Sequence, residues 1–249
     1  MGANGGKSSM QKRLTLATAF LAFLPMFVLG DDGDLEKAID KAVEILDRYS
    51  AEKEDTVPAE AFQKCKGLAI LNVIKAGFIF SGSGGTGLVV VRKPNGKWSP
   101  PSAISAGGIG IGLQAGGSNV DYVMLLNTED AVKEFSKQGN YKGGVEAEGT
   151  AGSEGRNLSA GLAGMSPITT YSFSQGLFGG VSTSDMGFGV EDDTNQDFYG
   201  ENLKARDILA GKNKNTPPAV KKLWKALEDA DRKTKITYEN AQKNRPPKK

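Results

Sequence analysis

Between residues 67 and 189 the chain places 26 of its 33 glycines, interleaved with short apolar runs and few helix-forming stretches. Glycine loses the most backbone entropy on ordering and costs roughly 0.5–1 kcal/mol against alanine inside a regular element. A sequence that accepts this cost repeatedly is building tight turns, bulges and close approaches between strands. The densest stretch, KGLAILNVIKAGFIFSGSGGTGLVVVRKPNGKWSPPSAISAGGIGIGLQAGG over residues 66–117, therefore predicts a compact, glycine-kinked β structure.

On either side the apolar period lengthens. From Asp34 to Tyr49, Leu35, Ala38, Ile39, Ala42, Val43, Leu46 and Tyr49 recur at helical spacing, with charges of both signs opposite, which predicts an amphipathic helix. Pro58 opens a short second helix, PAEAFQKC. Short strands are expected at Leu68–Ile74, Gly77–Phe80, Leu88–Arg92, Ser102–Ile104, Ile109–Gln114 and Val120–Leu126, with the Pro94-Asn95-Gly96-Lys97 turn among them. Asn127 or Thr128 caps a helix, EDAVKEFS. Strands resume at Gly143–Glu148, Leu158–Ala163, Thr169–Phe173, Gly176–Ser182 and Gly187–Val190. The acidic Glu191-Asp192-Asp193 caps a helix through Phe198, and Leu203–Ala210 is helical. Thr216-Pro217 opens a last amphipathic helix with Val220, Leu223, Trp224 and Leu227 on one face. The fold class is α+β: a mostly antiparallel, glycine-rich β-barrel or sandwich flanked by N- and C-terminal helices. Its domain covers 34–230, and 231–249 reads as a basic disordered tail.

The leader is of another kind. Lys7, Lys12 and Arg13 precede the apolar LTLATAFLAFLPMFVLG of 14–30, and an acidic DDGD follows. A charged start, an apolar centre and small residues before a polar break describe a cleaved signal peptide. The alternative is a retained membrane anchor, although the run is short for a span and Pro25 interrupts it. Membrane association is expected in either case, and the secretory pathway or extracellular space if the leader is cleaved.

What the chain lacks excludes much chemistry. With no histidine there is no imidazole base, and no Ser-His or Cys-His nucleophile. A single cysteine, Cys65, supports neither an intrachain disulfide nor a multi-cysteine zinc site, and it reads as a small buried hydrophobe. No cofactor is expected. Gly82, Gly84 and Gly87 satisfy G-x-G-x-x-G, but LVVVRK follows them as a strand where a nucleotide site needs a helix N-terminus. Asp185, Glu191, Asp192, Asp193 and Asp197 cluster near a helix start, which capping and solvation explain better than carboxylate catalysis. Asn157-Leu158-Ser159 is a glycosylation sequon if the chain is secreted.

The net charge of +2 is unevenly spread, with an acidic 31–55 and a basic 221–249. Lys64, Lys66 and Lys75 bracket the first strand, and Arg92, Lys93 and Lys97 crowd the Asn-Gly turn beside Trp98. Such residues suit phosphates at a membrane surface, or they protect a sheet edge from pairing. Nucleic acid is not an expected partner, because the folded region shows no strong positive excess.

The ordered series KGLAI, KAGF, G-x-G, GLVV, G-x-WS-x-PSAI, GGIGIGLQAGG, DYVMLLNTEDAVKEF, AGSEGRN, YSFSQGLFGGVS and FYG resembles the SYLF domain, over about Asp34 to Leu227. That resemblance implies a non-enzymatic module that binds phosphoinositide or other anionic phospholipid through an N-terminal amphipathic helix and basic surface residues. On this chain these would be Asp34–Tyr49 and Lys64, Lys66, Lys75, Arg92, Lys93 and Lys97. Some fungal members of the family also bind and bundle actin, so actin or a scaffold role through the basic surface and tail is the alternative. The helix here is net acidic, and no lipobox cysteine follows the apolar leader.

Overall fold

In a computed structural model of the chain, residues 34–51, 57–137, 141–143, 146–150, 155–159 and 168–243 are described. In chain order they form α1 (Leu35–Ala51), α2 (Ala59–Lys64), β1 (Gly67–Val91), β2 (Ser102–Leu126), α3 (Glu129–Phe135), β3 (Tyr141–Gly143), β4 (Glu146–Thr150), β5 (Gly155–Ser159), β6 (Ile168–Val190), α4 (Asp192–Tyr199), α5 (Ala205–Leu209) and α6 (Pro218–Lys243). The fold is α+β around a six-stranded antiparallel sheet. The proposed leader, 1–30, lies outside the described residues, as do 244–249.

The glycines do not cut the strands as the sequence suggests. β1 pairs with β2 from Gly67↔Leu126 to Val89↔Ser102, and β6 follows β2 from Leu126↔Ile168 to Ile104↔Val190. A ladder is made by backbone N–H and C=O groups, which glycine carries like any other residue. The three predicted segments on each side of the turn therefore merge into single strands of 25 residues. One irregularity interrupts the register, between Phe78 and Phe80.

Such a ribbon cannot stay straight, and it doubles back. Arg92 N donates to Lys66 O at 2.8 Å, joining the two ends of β1. A Cβ placed on Gly85 would stand 2.0 Å from Asn72 O and 2.7 Å from Val73 Cα; one on Gly87 would stand 2.1 Å from Ile70 O. These two glycines are there because one half of β1 lies directly against the other. The G-x-G-x-x-G match dissolves accordingly, since no helix follows and Gly84 has nothing within 4 Å of its notional Cβ.

Sheet order is β1-β2-β6-β3, with β4 and β5 also on β6, and the sheet is open rather than closed into the barrel that the sequence left open. Closure needs β1 to bond the far strands. Among the described residues β1 pairs with β2 and with none of β3 to β6.

Strand alternation puts two apolar sets on the two faces. Leu68, Ile70, Leu88, Val90, Val123 and Leu125 pack beneath α1 and α6, together with Leu35, Ile39, Ile45, Val220, Leu223 and Leu227. Ala69, Leu71, Val73, Val89, Tyr122 and Met124 form the other set, with Phe135 of α3 and Phe188 of β6. Asp34 caps α1, its Oδ1 accepting from Glu36 N at 2.9 Å, and Thr128 caps α3, its Oγ1 accepting from Ala131 N at 3.1 Å. The expectation of a basic disordered tail over 231–249 is corrected for 231–243, because α6 runs to Lys243. Composition alone missed the anchor: Gln63 Nε2 donates to Asp231 O at 3.0 Å and Thr234 Oγ1 at 2.9 Å, holding the helix where its apolar stripe ends.

Candidate functional site

The best-built polar cluster lies where the β1–β2 turn meets α6. Gly96 takes φ +80°, which suits glycine, and its N–H donates to Lys93 O at 2.9 Å while Lys93 N donates to Lys97 O at 2.8 Å. Arg92 and Trp98 face each other across this turn as a bridge pair. The Arg92 guanidinium stacks 4.2 Å from the Trp98 ring and grips Asp231 of α6 with two bonds, 2.7 Å and 3.1 Å. Trp98 Nε1 donates to the same carboxylate at 2.9 Å, and Trp224 Nε1 donates to Ser99 O at 2.8 Å. Two indoles and a guanidinium thus clamp the last helix onto the turn.

The six basic residues singled out in the sequence divide. Lys64 and Lys66 sit at the foot of β1, bonded through Lys66 O to Arg92, and Lys93 and Lys97 sit on the adjoining turn. Lys64, Lys66 and Lys97 are exposed, Lys64 pairing with Glu60 at 2.7 Å. Lys93 is half-buried, with Nζ beside Gly211 at the end of α5. These four gather at one end of the sheet. Lys75 does not join them: it lies roughly 30 Å up the strand at 3.3 Å per residue. It is buried on the opposite face, 5.4 Å over the Tyr122 ring. Arg92 is at the right end, but Asp231 and Trp98 already occupy its guanidinium.

The N-terminal helix is likewise committed. Leu35, Ile39, Ala42, Ile45 and Leu46 of α1 are buried against the body. Near its C-terminal end Arg48 pairs at 2.7 Å with buried Asp121 of β2, which also accepts from Asn72 Nδ2 at 2.6 Å. Offering that face to a bilayer first means stripping it from the core, at about 1.5–3 kcal/mol for each large apolar side chain.

Asp231 and Gln63 went unnoticed in the sequence, and Trp224 was read only as part of the last helix's apolar face. The available signal was the continuing helical period Leu227, Ala230, Asp231, Thr234. The acidic cluster is local: Asp192 and Asp193 open α4, Asp192 pairs with Lys204 at 2.8 Å, and Glu191 accepts from Ser105 Oγ. Asp185 lies on β6, and the sequon Asn157 lies on β5 opposite Ser172. Among the described residues no His, Cys, Asp or Glu cluster could hold a metal ion, and no helix is long and apolar enough to cross a membrane. A cleft lined by Ile104, Phe135, Phe188 and Val190 offers about 10 Å³, scarcely a water's worth.

Cys65 is buried, its Sγ donating to Phe62 O at 3.2 Å, and burial pushes the thiol up to about 11. The thiolate is the reactive form. Alkylation of the native chain at pH 8 is therefore expected to be far slower than in denaturant. A raised native pKa also implies that this group's contribution to stability is intact below pH 9 and lost as pH rises toward about 11. Comparison with Cys65→Ala isolates that loss in a pH series of melts, and a loss of equal size in the variant would contradict it.

Comparison with known proteins matches the sequence of this chain to one family. The family model Ysc84, described as Las17-binding protein actin regulator, matches residues 107–230. LAS seventeen-binding protein 3 of Saccharomyces cerevisiae is 41% identical over 179 residues, which is 70% of this chain and 39% of that protein. SH3 domain-containing YSC84-like protein 1 of Homo sapiens is 39% identical over 206 residues, 82% of this chain and 58% of that protein. The chain thus spans from about two fifths to about three fifths of the length of these curated relatives. No solved structure matches it. With the family model on 107–230 and relatives about 40% identical over 70–82% of its length, the chain belongs to the Ysc84 (SYLF) family.

Proposed function

We propose that the chain is a non-catalytic docking module of an actin-regulatory assembly, binding a protein partner through its basic surface. The observation that carries this reading is kinship with a family described as an actin regulator, and with a yeast relative named for binding Las17. The geometry is compatible with it. Two of its ion pairs, Arg48–Asp121 and Arg92–Asp231, fasten helices to the sheet and its turn, and the cleft beside α3 is too small for a substrate. Purified full-length chain is expected to pellet with actin filaments. A chain that neither pellets with filaments nor alters their assembly would refute it.

A second reading, docking to anionic phospholipid, is favoured by one observation: Lys64, Lys66, Lys93 and Lys97 gather at one end of the sheet. Charges near an anionic membrane are worth about 1 kcal/mol each. Replacing all four by Glu is expected to abolish binding to phosphoinositide vesicles, whereas Lys75→Glu leaves a buried charge and harms folding first. Wild-type chain that ignores the vesicles, or a quadruple variant that still binds them, contradicts this reading.

A further inference from the structure

The last helix outruns the body it is anchored to. Gln63 makes its bonds at Asp231 and Thr234, and past that point Lys235, Ile236, Thr237, Glu239, Asn240 and Lys243 are all exposed. Ile236 keeps 55% of its surface in solvent. An isolated helix of so few turns is marginal in water, and most helical stability in proteins comes from packing an apolar face. From Arg232 to Lys249 the sequence carries seven basic residues and one acidic one. The family match ends at residue 230.

We propose that the distal half of α6 is a docking helix for an acidic protein surface, on the reading of the chain as an actin-regulatory module. At helical spacing Lys233, Ile236, Asn240 and Lys243 share one face, with Lys235 at its flank. Ile236 enters an apolar groove, and the lysines meet carboxylates at its rim. Charge complementarity selects the acidic occupant. A bilayer is the poorer fit, because an interfacial helix buries a broad apolar face, and among the described side chains past Thr234 Ile236 is the sole large exposed hydrophobic one.

The test uses full-length chain, actin filaments as the acidic protein probe, and vesicles of phosphatidylserine in phosphatidylcholine. Two variants, Lys233→Glu/Lys235→Glu/Lys243→Glu and Ile236→Ser, are first shown to melt like wild type. The triple variant is expected to bind filaments at least ~10-fold more weakly, and Ile236→Ser about five-fold more weakly. Wild type that pellets while both variants pellet equally well overturns this proposal and leaves the actin-regulatory reading standing. Wild type left in the supernatant removes both. An unchanged Ile236→Ser, with the triple variant losing vesicles as well as filaments, makes the segment a charge-only membrane contact and also overturns it.

Discussion

Gly85→Ala and Gly87→Ala are each expected to destabilise the chain by about 3 kcal/mol or more, a large share of a domain's net stability. The reason is contact rather than backbone strain. Each new Cβ would fall about 2 Å from a main-chain oxygen, of Asn72 or Ile70, in a strand half that is itself fixed by the ladder to β2. Neither neighbour is a flexible side chain that can swing away, so the ribbon must unfold locally to make room. Gly84→Ala is the internal control: nothing stands within 4 Å of its Cβ position. It is expected to melt within a degree or two of wild type, or slightly higher, because alanine narrows the unfolded ensemble. Thermal melts of the three variants decide the matter. If Gly85→Ala and Gly84→Ala melt together, the two halves of β1 do not touch.

Asp231→Ala is expected to loosen α6 from the 92–98 turn. It removes the acceptor of three bonds at once, two from Arg92 and one from Trp98 Nε1. Arg92 would be left against Trp98 with its charge uncompensated and its Nε already without a partner. Breaking a part-buried pair from one side costs about 2–4 kcal/mol. In a domain of this size that is roughly 5–12 °C in Tm. Loosening should be local before it is global. Hydrogen exchange is expected to quicken first in α6 beyond Ala230 and in the 92–98 turn, while the β2–β6 ladder keeps its protection. Asp231→Asn retains an acceptor for Trp98 and should cost less. A melt of Asp231→Ala that overlays wild type would mean that the clamp does not hold the helix.

Much of this architecture could be read from the residues, because local periodicity carries it. The Leu35-to-Leu46 stripe, Val220, Leu223 and Leu227, the Thr128 cap and the Gly96 turn all act within a few residues of themselves. Two things could not be read so directly. Glycine runs look like breaks, yet the ladder uses only backbone, so β1 and β2 pass straight through them. The partners of charged groups lie far away in sequence: Arg92 meets Asp231 139 residues later, and Arg48 meets Asp121 73 residues later. Clustered by sequence, the six basic residues looked like one edge. Strand parity already held a warning, since Arg92 shares its face with Leu88 and Val90, whereas Lys75 shares its face with Val73. Only the fold shows which of them remain for a partner.

Cosedimentation of the full-length chain with actin filaments at low and at physiological salt tests the central claim most directly. A basic docking surface predicts saturable pelleting that weakens as salt screens it. Chain that stays in the supernatant at both salt concentrations, while phosphoinositide vesicles carry it down, would contradict the account and return the function to the membrane.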